Sequence, residues 1–173
     1  GGDTIDLGKG GEYGMINPLQ IVIDADEDEI KQGLGYTVLT RTLQFLKAFM
    51  KYYDPSIEED VLTLFTEVVQ ATYKRFGIDF DKDFYNYGPN DYPTFSDVYE
   101  TIKAILMSMP EHTHERDIME RLELKIRPFT NELKYYFNGH TTIQHDSDFI
   151  VFNIKELMNT ESNIKNALFF NFL

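Results

Sequence analysis

The run Glu59-Asp60-Val61-Leu62-Thr63-Leu64-Phe65-Thr66-Glu67-Val68-Val69-Gln70-Ala71-Thr72-Tyr73-Lys74-Arg75-Phe76-Gly77 decides the fold class. Val61, Leu62, Phe65, Val68, Val69 and Phe76 recur at three- and four-residue spacing, the period of a helix with one apolar face. Ser56 and Glu59 read as a capping box at its start. Gly77 reads as the left-handed residue that closes it. A stripe of this kind needs other helices to cover it.

The neighbouring sequence supplies them. Leu39, Thr42, Leu43, Leu46, Phe49, Met50 and Tyr53 form a preceding amphipathic pattern whose onset is expected near Asp26 to Glu29, where acidic residues suit the positive end of the helix dipole. Asp54-Pro55 ends it. After a turn-rich connection over residues 78–92, Thr94 and Asp97 predict another helix start, with Val98, Ile102, Ile105, Leu106 and Met109 as its stripe. Ile118, Leu122, Ile126, Phe129, Leu133 and Phe137 then keep helical phase through Pro128, which should kink or split the helix. Asn138-Gly139 stops it. Leu46, Phe49, Phe65, Val68, Ile102, Leu106, Leu122 and Ile126 are expected in one core.

The two ends of the chain read differently. Thr4-Ile5-Asp6-Leu7 alternates, Gly8-Lys9-Gly10-Gly11 breaks the chain, and Met15-Ile16-Asn17-Pro18-Leu19 follows, which together suggest two short strands and an exit turn. Thr141-Thr142-Ile143 is a short β-like run. Asp148-Phe149-Ile150-Val151-Phe152-Asn153-Ile154 is nearly continuous apolar, the pattern of a strand buried on both faces. A last helix is expected from about Thr160. It runs into Ala167-Leu168-Phe169-Phe170-Asn171-Phe172-Leu173 with no closing signal. We expect the chain to come from a longer one, and its uncovered terminal elements to self-associate.

Composition bounds the function. The 173 residues suit one domain, and 42% hydrophobic residues are ordinary for a folded chain. No apolar run reaches the roughly eighteen residues of a membrane span. The absence of Cys excludes disulfides, thiol catalysis and thiolate zinc sites. Acidic residues outnumber basic ones, 29 to 16, for a net charge of -13. A surface that neutralises phosphates is therefore not expected in this segment.

Several short patterns imitate sites and fail on spacing. Gly8-Lys9-Gly10-Gly11 lacks the four-residue gap and the Ser or Thr of a phosphate loop, and reads as a turn. Asp24, Asp26 and Asp28 lack the Gly and Glu of a calcium loop, as do Asp79, Asp81 and Asp83. Glu111-His112-Thr113-His114-Glu115 does not place two imidazoles one helical turn apart, and reads as an exposed capping segment. His140 and His145 have no evident partner. No nucleophile motif is present. We assign no catalytic, cofactor-binding or metal residue.

Taken in order, three pieces carry a family resemblance. Gly2-Asp3-Thr4-Ile5-Asp6-Leu7 with Met15-Ile16-Asn17-Pro18-Leu19 resembles a stretch of the VirB4-type ATPases of conjugation and type IV secretion. Tyr92-Pro93-Thr94-Phe95-Ser96-Asp97 resembles that family's P-T-x-x-D helix start. Tyr136-Phe137-Asn138-Gly139-His140-Thr141-Thr142-Ile143, followed by Phe149-Ile150-Val151-Phe152-Asn153-Ile154-Lys155-Glu156-Leu157, is similar to its F-x-G-x-T turn and following strand. The resemblance implies a mainly α segment: a bundle of about four main helices flanked by short β-strands belonging to a RecA-like α/β P-loop NTPase core. Residues 1–23 would be a hairpin-like part of that core, 24–139 the bundle, and 140–173 a strand and helix returning to the core.

The resemblance further implies a parent that uses ATP and Mg2+ to power conjugative transfer at the cytoplasmic face of the membrane. Its Walker A loop would precede Gly1 and its Walker B pair would follow Leu173. No catalytic residue can then be carried over to any position here, and the segment itself should bind no nucleotide. Its expected task is coupling, with neighbouring ATPase subunits and secretion-channel components as partners and no direct nucleic-acid contact. The alternative is a standalone acidic helical interaction module without enzymatic activity.

Overall fold

The computed structural model describes residues 15–22, 35–80, 84 and 86–142. Expectations for the first strand, the Gly8 loop, Asp24, Asp26 and Asp28, the onset of the first helix, Asp81, Asp83, His145, the strand over 148–154 and the last helix all lie outside those residues.

Among the described residues, four long helices and one short one follow in order: α1 (Gly35–Tyr53), α2 (Glu59–Arg75), α3 (Phe95–Ser108), α4 (His114–Thr130) and α5 (Lys134–Phe137). A 3-10 turn, Pro89–Asp91, precedes α3. The helices sit where the apolar period placed them. Leu46, Phe49, Phe65, Val68, Ile102, Leu122 and Ile126 are buried in one cluster, with Leu106 half-buried against it. α4 packs against both α2 and α3, and α2 packs against α1 and α3. Where α2 meets α3, Thr72 donates to Thr101 Oγ1 at 2.8 Å, and Arg75 donates to the same oxygen at 2.8 Å.

Helix ends explain the connections. α2 closes in a Schellman motif: Gly77 N–H donates to Lys74 O and Ile78 N–H to Tyr73 O, with Gly77 at φ +77°. Its start is not the expected capping box. Ser56 turns instead to Asp54, whose Oδ1 accepts from the Ser56 N–H at 3.2 Å and hydroxyl at 2.8 Å, and α2 begins after Glu58. The short Asp side chain offers the backbone a local turn that competes with the cap. At α3 the signal holds, because the Asp97 carboxylate accepts from both the N–H and the hydroxyl of Thr94.

The fourth pattern is split, but not at Pro128: α4 runs through the proline and ends two residues past it, at Thr130. Asn131 and Leu133 N–H groups both turn back to Pro128 O, and α5 restarts at Lys134.

The β-like runs expected at residues 15–19 and 141–142 are the main departure. Among the described residues there is no strand. Residues 15–22 are irregular around a turn at Pro18 and Leu19, and 141–142 have no regular structure. Pro18 cannot donate to a ladder, and the Asn17 side chain diverts the Leu19 N–H.

Candidate functional site

The described residues with the densest polar organisation lie where the chain enters and leaves the helices. This stem starts at Asn17. Its Oδ1 accepts from the Leu19 N–H at 3.1 Å, and its backbone O accepts from the Gln20 N–H at 3.1 Å. With Pro18 in the second position, this is a tight turn stabilised by its own Asn side chain. The turn puts Ile16, Leu19 and Ile21 into the core, each at most 3% exposed.

Asn17 itself is buried and reaches two other segments. Its Nδ2 donates to Pro93 O at 2.7 Å, just before α3, and its N–H donates to Thr141 Oγ1 at 2.8 Å on the leaving segment. Tyr73, fully buried at the end of α2, donates its hydroxyl to Leu19 O at 2.6 Å. Burial pushes that phenol far above its ordinary range, so it remains a donor. Met15 and Thr142 exchange two bonds, Met15 N–H to Thr142 Oγ1 at 2.9 Å and Thr142 N–H to Met15 O at 3.0 Å. Ile16 N–H donates to Tyr136 O, and Asn138 bonds Ser96 through both its amide oxygen and nitrogen. Four parts of the chain, far apart in sequence, are thus joined around one buried amide.

The residues weighed as sites from sequence are placed elsewhere. Glu111 and His112 are exposed in the connection between α3 and α4, and His114 and Glu115 are exposed in the first turn of α4. Thr113 caps α4 by accepting from the Arg116 N–H, and Arg116 donates to Leu106 O and Met109 O, closing the end of α3. A shallow cleft of about 300 Å³ between Glu111, His112, Asp117 and Glu120 lies beside it. Among the described residues, no three His, Asp or Glu side chains are placed to hold a metal ion. Asp79 accepts from the Phe80 N–H, as in a local turn. His140 is exposed. Asn17, which joins three segments of the chain, entered the sequence reading only as part of the Met15–Leu19 run.

The remaining ionic contacts are peripheral. Arg121 pairs with Glu58, with Asp60 at 3.2 Å and with Asp117 at 3.5 Å, and Lys125 pairs with Asp54. Asp54 and Glu58 lie in the connection between α1 and α2, Asp60 on α2 and Asp117 on α4 itself, and partly exposed pairs contribute little each. Among the described residues no helix is long and apolar enough to cross a membrane. The stem holds the entering and leaving segments of the backbone together.

No family model and no curated protein matches this chain. A solved structure does: that of VirB4 from Thermoanaerobacter pseudethanolicus, at 24% sequence identity and a TM-score of 0.62 over 80% of this chain. The matched part is 47% of that polypeptide, so the chain spans about half its length. Four-fifths of this chain therefore shares the fold of a portion of a VirB4 molecule.

Proposed function

We propose that this chain is the helical subdomain of a VirB4-type motor ATPase, grafted onto a RecA-like core through the stem. The observation that carries the reading is the shared fold with VirB4 over four-fifths of the chain. The stem supports it: an inserted body must return its chain close to where it left, as residues 15 and 142 do here. The ordered sequence resemblance, carried by residues spread along the chain, points the same way.

In this reading the nucleotide site, with its ATP and Mg2+, belongs to the flanking core. The helices couple that core to neighbouring ATPase subunits or channel components at the cytoplasmic face of the membrane. A net charge of -13 argues against direct nucleic-acid contact by this segment.

Nucleotide turnover tests the proposal. A polypeptide including the genomic flanks should carry a GxxxxGK[ST] loop within about a hundred residues of Gly1, the scale of one domain, and should hydrolyse Mg-ATP. Residues 1–173 alone should neither hydrolyse ATP nor be stabilised by it. A reading frame without that loop, or turnover by residues 1–173, overturns the assignment.

A further inference from the structure

We infer that the stem is a rigid joint, so that displacement of the two crossing segments turns the helical body as a unit. The inference deepens the motor reading and rests on it for the source of the displacement. Two irregular crossings between a body and its core would ordinarily make a hinge, because a few loop residues can absorb changes in φ and ψ. Here three residues of the entering turn are already held. Pro18 has its φ fixed by the ring. Asn17 is bonded to Pro93, Leu19 and Thr141 at once. Leu19 is fully buried and held by Tyr73.

The leaving segment is equally constrained. Asn138 is tied to Ser96 at the start of α3. Gly139, the natural place for backbone freedom, lies against Met15, where an added Cβ would come within 3.1 Å of that side chain. The two crossings are therefore packed on each other as well as on α2 and α3.

The joint has a geometric consequence. α3 begins at the stem with Phe95 and runs 14 residues to Ser108. At 1.5 Å per residue, a rotation of about ten degrees at the stem moves its far end by roughly 4 Å. Motion enters at residues 15–22 and 136–142, and leaves at the α3–α4 connection.

Amide hydrogen exchange on the 173-residue chain decides the matter. The Ile16, Asn17, Leu19 and Thr142 amides should exchange within about tenfold of those in α2, as parts of one cooperative unit. Asn17→Ala should accelerate Ile16, Leu19 and Thr142 by roughly ten- to a hundredfold while leaving α2 and α4 unchanged. Should that variant fail to fold, Tyr73→Phe removes a single hydroxyl and should accelerate Leu19 and Gln20 selectively. Stem amides already more than about a hundredfold faster than α2 in the unmodified chain would mark a hinge and overturn the inference. So would a variant that accelerates every amide equally. Either result leaves the VirB4-type assignment untouched, since that rests on the shared fold and is tested by the flanking sequence and by turnover.

Discussion

The ring of Phe95 lies flat on that of Phe129, with centroids 4.3 Å apart and planes 12° from parallel. Phe137 meets Phe49 edge-on at 5.3 Å, and Phe49 also borders both stacked rings. These four buried rings come from α1, α3, α4 and α5, so one cluster ties the helices at the end nearest the stem.

Truncating that cluster should therefore destabilise the whole body. Phe129→Ala is expected to cost about 3–5 kcal/mol, and Phe129→Leu much less. Urea denaturation checks this through the midpoint at unchanged slope. A loss no greater than that of Glu115→Ala, an exposed position, would contradict the packing described.

Gly77 is required twice, by its φ of +77° and by the Tyr87 hydroxyl, 2.8 Å from where a Cβ would stand. Gly77→Ala should cost about 1–3 kcal/mol. Tyr87→Phe removes the obstructing oxygen but also its bond to Phe76 O. In the double variant the two losses should sum to less than their separate values, which a double-mutant cycle measures directly.

Glu123 gives the fold a pH dependence. Burial pushes its carboxyl up, but hydrogen bonds from Arg127 and Tyr99 outweigh it and hold the group below the usual glutamate range. A depressed folded-state value contributes stability that is present above the ordinary glutamate range and is lost as pH falls through the folded value. Glu123→Gln should be less stable than the parent near neutral pH and should converge with it in acid. Parallel curves across that range would exclude this assignment.

His112 sits at φ 63°, in the region where a side chain is strained. His112→Gly should be neutral or raise stability by a few tenths of a kcal/mol, whereas His112→Val should lower it by about 1 kcal/mol or more. The melting temperatures of the two variants should therefore fall on opposite sides of, or one level with and one below, the parent value.

Much of the helical body was legible because local rules and tertiary packing agree there. The stripe of α2, the Gly77 closure and the Thr94–Asp97 start each depend on residues within one or two turns. The same locality explains the errors. Ser56 turned to Asp54 instead of Glu59, since two nearby carboxylates competed for one backbone N–H and only geometry chose between them. The β-like run at residues 15–19 had the composition of a strand, but the Asn17 side chain and Pro18 turned it into a buried turn.

What the sequence determined by itself was the number, phase and most of the boundaries of the described helices, because a 3.6-residue period fixes which face each must bury. Its resemblance to VirB4-type proteins also anticipated the fold that the solved structure shares. The tertiary structure alone decided that residue 17 would meet residues 93 and 141, and that residue 73 would reach residue 19. Those bonds join groups separated by 54 to 124 positions, and no periodicity encodes them. They exist because folding buries an amide and a phenol, and each must find its partner inside the protein once water is gone.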